Sequence, residues 1–84
     1  MRVKLVKPSV IKGYYGMNHE AGKHLGVSCP KGTILVANNV KGRMFTRTVQ
    51  HEKVEEYLMR EKGLSYNKAH NVAMKFENPK KRKK

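Results

Sequence analysis

The pattern of hydrophobic and polar positions divides the chain into a strand-rich first half and a helical second half. Residues 2–6 alternate basic and apolar side chains and end before Pro8, which is the period of a half-buried strand. Residues 10–15 predict a second strand, and the apolar run 33–37 predicts the clearest one. Four of the seven glycines fall within residues 13–26, so that stretch is expected to form turns and loop.

The second half predicts two helices joined by a tight turn. Residues 48–62 contain neither Gly nor Pro, and this helix could begin as early as residue 40. Gly63 suits the left-handed position that ends a helix, and Ser65 is a good N-cap for a second helix over 66–77. A turn this short makes the two helices antiparallel neighbours.

These elements together predict one small α+β domain. A chain of 84 residues is the length of a single domain with a small core. We expect a small N-terminal antiparallel β-sheet followed by a C-terminal αα-hairpin, all within residues 1–79. Residues 80–84, Lys-Lys-Arg-Lys-Lys, are expected to be a disordered basic tail because they offer nothing to bury.

Both predicted helices place His and Glu on their apolar faces. At about 100° per residue, His51 and Glu55 fall within the apolar stripe of the first helix, and His70 and Glu77 fall within that of the second. Burying a carboxylate is costly unless it is paired, hydrogen-bonded or bound to metal. The pattern therefore indicates a structural hydrogen-bond network, a metal or acid–base site, or a helix phase that differs and leaves the carboxylates in solvent.

One of these segments resembles a known catalytic helix. Residues 51–55, His-Glu-Lys-Val-Glu, resemble the His-Glu-x-x-His helix of zincin metallopeptidases, with Glu in place of the second His. In that family two His on consecutive turns bind zinc, and the Glu after the first His is the general base. The resemblance implies a divalent zinc or manganese ion with ligands His51, Glu55 and either His70 or Glu77, and with Glu52 as the catalytic base.

The charge distribution points to a different partner. The chain has a net charge of +13 and no Asp. Residues 1–47 carry nine Lys/Arg and one Glu, residues 48–79 carry five of each sign, and the tail adds five cations. Such charge favours a polyanion, foremost nucleic acid held through its phosphates. The expected nucleic-acid-binding residues are Lys4, Lys12, Tyr14, Lys23, Lys31, Lys41, Arg43, Arg47, Lys80, Lys81, Arg82, Lys83 and Lys84.

Tyr14 belongs to that set because an aromatic ring among lysines can stack on bases. Its neighbour Tyr15 is expected to enter the core, since adjacent side chains on a strand point to opposite faces. The alternative is that both tyrosines serve packing. His19, His24 and Cys29 have soft or imidazole side chains that suit zinc, but a fourth ligand is missing. Exposed histidines and a small buried thiol are the alternative for these three.

The composition also limits the cellular context. Cys29 is the only cysteine, so an internal disulfide is impossible, and no disulfide-linked partner is expected. No apolar run approaches about 18 residues, so a membrane is the weakest partner. We expect an intracellular, cytoplasmic protein, or a nuclear one if the tail acts as a localisation signal.

The sequence therefore predicts a small, strongly basic nucleic-acid-associated protein. The alternative is a divalent-metal-dependent hydrolase, either zincin-like or a nuclease, built on His51, Glu52, Glu55 and His70. A helix–turn–helix DNA reader is less favoured, because the second helix offers few cations at its N-terminal end.

Overall fold

A computed structural model of the chain describes residues 2–77. Its elements in chain order are β1 (Arg2–Val6), a 3₁₀ turn (Pro8–Ile11), β2 (Gly16–Met17), α1 (His19–Leu25), β3 (Thr33–Ala37), α2 (Arg43–Glu61) and α3 (Tyr66–Glu77). The α+β class and the order of sheet before helical hairpin are confirmed. The tail prediction for residues 80–84 lies outside the described residues.

The sheet is mixed, with β3 between β1 and β2. β2 pairs with β3 antiparallel, as expected, but β1 pairs with β3 in parallel, with Lys4 opposite Leu35. The expectation of a wholly antiparallel sheet is therefore corrected. Parallel strands require a crossover instead of a hairpin, and residues 7–32 provide that connection.

Residues 8–26 differ most from the prediction. Val10 and Ile11 belong to a 3₁₀ turn instead of a strand, and helix α1 occupies much of the expected loop. Two glycines there have helical roles. A Cβ on Gly22 would lie 2.6 Å from the carbonyl oxygen of Val27, and Gly26 ends α1 with φ of 76°. Glycine frequency alone could not distinguish close packing and a helix end from a loop.

The apolar core lies between β3 and the crossover segments. Its buried members are Ile11, Met17, Ala21, Val27, Cys29, Ile34, Leu35, Val36, Ala37 and Val40. The strand predicted for residues 2–6 is confirmed as β1. Its expected half-burial is wrong, because Val3 is 38% exposed and Leu5 is 57% exposed, and β1 contributes little to the core. Because β1 is an edge strand, the cations and the apolar residues that alternate along it all lie at the edge of the sheet.

The helical hairpin follows the prediction closely. α2 begins after Gly42, within the expected range, and Gly63 adopts φ of 68° at its C-terminal end. The hydroxyl of Ser65 accepts a hydrogen bond from the backbone N–H of Lys68, as an N-cap does. α3 has the predicted bounds. Among residues 2–77, none of the helices combines the length and apolarity that a bilayer span requires.

Candidate metal centre

The face of α2 that turns inward is polar. Its buried residues are Thr48, His51, Glu52, Glu55 and Glu56. Only 7% of His51 and 2% of Glu55 is exposed, and both contact His70 on α3. The predicted helix phase is therefore confirmed, and the alternative with these side chains in solvent is wrong.

Three ligand-type atoms meet between the helices. His51 Nε2 lies 3.1 Å from Glu55 Oε2, and His70 Nδ1 lies 2.9 Å from the same oxygen. The two ring nitrogens are 3.1 Å apart. The i, i+4 spacing of His51 and Glu55 places both on one face of α2, and the short turn brings His70 opposite them. We call these three residues the His-Glu-His triad.

While Glu55 is ionised, hydrogen bonds alone cannot satisfy this triangle. Each ring nitrogen either donates or accepts, while an ionised Glu55 oxygen only accepts. If both nitrogens donate to Glu55, two N–H groups face each other, and if only one donates, its partner nitrogen faces the carboxylate as a second acceptor. With Glu55 ionised, every arrangement leaves at least one contact between like groups.

A single cation would satisfy all three contacts. An ion about 2.1 Å from each atom would see them at roughly 90° to one another, because the atoms are 2.9–3.1 Å apart. Such a facial set of two His and one carboxylate leaves coordination positions open for water and substrate. Within the described part of the chain, this is the one group of His, Cys, Asp and Glu whose ligand atoms converge in this way.

Asn18 supports the triad from the crossover segment. Its side-chain Nδ2 donates to Glu52 Oε1 at 2.8 Å and to Glu55 Oε1 at 3.0 Å, while its Oδ1 accepts from the backbone N–H of Ala21 at the start of α1. Asn18 is fully buried. One amide thus caps α1 and fixes both carboxylates, which matches the outer-shell contacts that orient metal ligands.

Asn18 was missed by the sequence analysis. The available signal was an Asn three residues before Ala21, which is the spacing of an N-cap bond, but it can be read only once α1 is known to be a helix. Its contacts to α2 span 34 and 37 residues along the chain, so no local pattern could reveal them.

Gly16 lets β2 approach α2 closely. A Cβ at this position would lie 2.6 Å from Thr48 Cγ2 and 3.0 Å from Glu52 Cγ. Real side chains do not tolerate the shorter distance, so only glycine fits here without a shift. The close approach holds the Glu52 side chain beside the triad.

The triad borders an open cleft of about 280 Å³. Tyr14 and Tyr15 line it together with Glu52 and Arg47. Tyr14 is 41% exposed and Tyr15 is 59% exposed, so the prediction that Tyr15 enters the core is wrong. Both residues precede β2, where the alternation rule for strands does not apply.

Aromatic rings continue from the cleft to the surface. The rings of His24 and Tyr66 stack with centroids 5.1 Å apart, and Tyr66 stacks on His70 at 5.5 Å. Burial, followed by the nearby Glu55 carboxylate, raises the pKa of Tyr66 to about 12. The phenol therefore keeps its proton well above physiological pH and can pack against His70.

The structure does not assemble the other zinc candidate. His19 Nδ1 lies 2.7 Å from the backbone carbonyl oxygen of Cys29, not from its sulfur. The thiol is buried, donates to the carbonyl of Thr33 at 3.3 Å, and has its pKa raised chiefly by burial. His24 instead stacks on Tyr66. Cys29 is a core residue, as expected from the alternative in which it is a small buried thiol.

The predicted nucleic-acid-binding residues occupy different environments. Lys4, Lys31, Lys41 and Arg43 are exposed, whereas Arg47 is half-buried at the cleft. Lys23 forms an ion pair with Glu20 at 3.3 Å, and Lys12 Nζ donates to the carbonyl of Leu25 at 3.0 Å. The five tail cations and the Glu77 side chain lie outside what the structure describes.

Comparison of the chain with protein-family models, with curated proteins and with solved structures found no match. Functional inference therefore rests on the chemistry of the site.

Proposed function

We propose that the protein is a divalent-metal-dependent hydrolase whose ligands are His51, Glu55 and His70. The observation that supports it is the convergence of three ligand atoms within 3.1 Å of one another at the wall of an open cleft. Two imidazoles and a carboxylate are the ligand set of several catalytic zinc sites. Manganese is the other metal expected for this donor set.

The buried charges favour a cation at this position. Glu52, Glu55 and Glu56 are 6%, 2% and 2% exposed. Glu56 has its own partner, because Arg60 lies 3.1 Å from it. Glu52 and Glu55 both accept hydrogen bonds from the neutral amide of Asn18. A divalent ion in the triad would place positive charge beside two buried carboxylates, where burial makes it most stabilising.

Glu52 is proposed as the general base. It follows a ligand His directly, as the base does in the zincin helix that residues 51–55 resemble. Glu52 lines the cleft, and Asn18 donates to one of its carboxylate oxygens at 2.8 Å. A bound metal would acidify a coordinated water. Glu52 would accept that water's proton, which favours hydrolysis over other chemistries of a two-His, one-carboxylate site.

Metal binding can be tested on chelator-treated protein. Adding manganese or zinc at a hundredfold excess over Kd should stabilise the native state by about 2.7 kcal/mol. For a chain of this size that corresponds to a melting rise of roughly 10–20 °C. Glu55→Gln should abolish the rise. The control Glu56→Gln, which removes an equally buried carboxylate paired with Arg60, should retain it.

If neither ion shifts the melting temperature of the unsubstituted chain, the hydrolase proposal is wrong. The triad would then be a structural network that joins α2 to α3.

Catalysis requires a separate measurement. Glu52→Gln should keep the metal-induced rise in melting temperature and lose hydrolysis of phosphodiester or peptide bonds by at least about 100-fold. Equal activity in Glu52→Gln and the unsubstituted protein would remove Glu52 from the mechanism.

A second candidate function is nucleic-acid association through phosphates. It is favoured by the exposed cations Lys4, Lys31, Lys41 and Arg43 and by the net charge of +13. The logarithm of the binding constant for duplex DNA should fall with the logarithm of salt concentration by about 0.9 per phosphate contacted. Deleting residues 80–84 should weaken binding to all sequences alike. A slope near zero would exclude this function.

A further inference from the structure

We infer that the substrate of the His-Glu-His triad is single-stranded nucleic acid, whose unpaired bases stack on Tyr14 and Tyr15 while Arg47 holds a phosphate beside the triad. This inference rests on the proposed hydrolase function and adds its substrate class. It is carried by the convergence of aromatic rings, a cation and the triad on one cleft.

The cleft exposes rings that contribute little to the core. Tyr14 and Tyr15 are 41% and 59% exposed, although each is large and largely apolar. Two of the three methionines that line the cleft, Met44 and Met74, are each 41% exposed. Apolar residues gathered at one opening mark a binding surface, and flat rings next to cations suit nucleic-acid bases of any sequence.

Arg47 is the cation that would bind a phosphate of the substrate. Arg47 lines the cleft one helical turn before His51, so both side chains project from the same face of α2. A guanidinium group binds phosphate oxygens through paired hydrogen bonds. Lys12 lies at the rim, where its Nζ donates to the carbonyl of the cleft residue Leu25. A phosphodiester could therefore contact Arg47 while its neighbouring linkage reaches the triad.

The charge of the chain favours a polyanion over a peptide. At +13 the protein attracts nucleic acid from a distance, whereas a peptide gains such attraction only if it is acidic. Peptide hydrolysis, which the zincin resemblance implies, is therefore the alternative outcome of the test.

The dimensions of the cleft favour unpaired strands. Its volume of about 280 Å³ lies near the lower limit of the roughly 300–1,000 Å³ found for small-molecule pockets. His51 and Glu55 are almost wholly buried at its wall. A duplex keeps its bases stacked inside, whereas an unpaired nucleotide can turn a base towards the tyrosines.

The expected reaction is hydrolysis of a phosphodiester. The oxygen of water forms a bond to phosphorus, and the bond from phosphorus to the leaving sugar oxygen breaks. Glu52 takes a proton from the attacking water, and the leaving oxygen receives one from solvent. No electron transfer or further reactant is required.

The decisive experiment measures oligonucleotide binding by fluorescence anisotropy. The Glu52→Gln variant is used with manganese, so that the bound oligonucleotide is not hydrolysed. Fluorescein-labelled single strands are compared with the matching duplex. Single strands should bind at least about tenfold more tightly than duplex. Replacing both tyrosines, Tyr14→Ala with Tyr15→Ala, should weaken single-strand binding by about tenfold or more.

Matched controls come from the other side of α2. Tyr57 is 47% exposed and Lys53 is exposed, and neither lines the cleft. Tyr57→Ala should leave single-strand binding unchanged, and Lys53→Ala should weaken it far less than Arg47→Ala. Equal losses in Tyr57→Ala and in the tyrosine pair, equal affinity for duplex, or cleavage of peptides in place of single strands would each overturn the inference.

The manganese-induced melting shift, measured without oligonucleotide, separates the two proposals. A shift without preferential single-strand binding overturns the substrate class alone. Absence of the shift overturns the hydrolase function, and the substrate inference fails with it whatever the oligonucleotide does.

Discussion

The sheet and the helical hairpin bury very different side chains. Around β3, the buried residues are almost all apolar, and Ile34 and Val36 are fully enclosed. In the helical hairpin, the buried apolar residues are Ala69 and Ala73 of α3, while the buried side chains of α2 are two with imidazole or hydroxyl groups and three carboxylates. The first region supplies burial of apolar surface, which drives folding. The second region brings buried polar and carboxylate groups close together, which costs stability and is typical of functional sites.

The small core of this chain is divided between apolar packing and buried polar groups. A domain of 84 residues buries little surface, so enclosed carboxylates take a large share of it. Burial of charge lowers stability unless a partner compensates. We infer that the hairpin buries these polar groups because their geometry serves a ligand site. The sheet region then supplies the stability that the hairpin lacks.

Asn18 joins the two regions, so changing it should have the largest effect. Asn18→Asp would place a third carboxylate against Glu52 and Glu55 and remove the amide that donates to both. We expect a loss of about 3–5 kcal/mol in unfolding free energy, measured by urea denaturation. Asn39→Asp at an exposed turn should change stability by less than about 0.5 kcal/mol. Equal stability of the two variants would contradict the proposed role.

Ile34→Ala tests the apolar region alone. Ile34 is fully buried in the central strand, so its truncation should cost about 2–5 kcal/mol. Val3→Ala, on the exposed edge strand, is the control and should cost much less. If the melt starts from folded Ile34→Ala protein, manganese should still raise its melting temperature. Loss of that response would show that the two regions are not separable.

Glu55→Gln distinguishes a ligand from a structural carboxylate. In metal-free protein, the Gln oxygen could still accept from Asn18, and its amide could donate to a ring nitrogen of the triad. We expect its metal-free stability to equal that of the unsubstituted protein or to exceed it by about 1 kcal/mol, because a buried charge is removed. A loss above about 1 kcal/mol in thermal or urea unfolding would favour the structural network.

Tyr66 should give the smallest effect, visible only in alkali. Burial and the Glu55 carboxylate raise its pKa to about 12, above the value near 10 of an unfolded tyrosine. The native state therefore keeps this proton longer. Its contribution to stability is complete below pH 10 and is lost as pH rises towards 12. The difference in tyrosinate absorbance between the unsubstituted protein and Tyr66→Phe should titrate near 12, and a midpoint near 10 would contradict the burial.

Local signals predicted a large part of the fold and of the triad. The run of β-branched and aliphatic residues gave β3, and Gly63 with Ser65 set the turn that brings α3 against α2. The i, i+4 spacing of His51 and Glu55 placed them on one face before any contact was known. These features depend on neighbours within a few residues, which is why the sequence pattern carries them.

Other features escaped prediction because they depend on distant segments. Helix α1 was mistaken for loop because Gly22 and Gly26 signal both close packing and turns. The parallel pairing of β1 with β3 depends on how the crossover runs, not on the composition of either strand. Tyr15 was assigned to the core by a rule for strands, although it lies before β2 begins.

The sequence by itself determined the charge of the chain, the hairpin and the phase that turns His51 and Glu55 inward, because each is fixed by composition or by a period along one element. Only the tertiary structure decided that His70 completes the triangle, that Asn18 reaches α2 across more than 30 residues, and that Tyr14, Tyr15 and Arg47 share one cleft. Those contacts follow from the packing of the crossover against α2, and packing is a property of the whole folded chain.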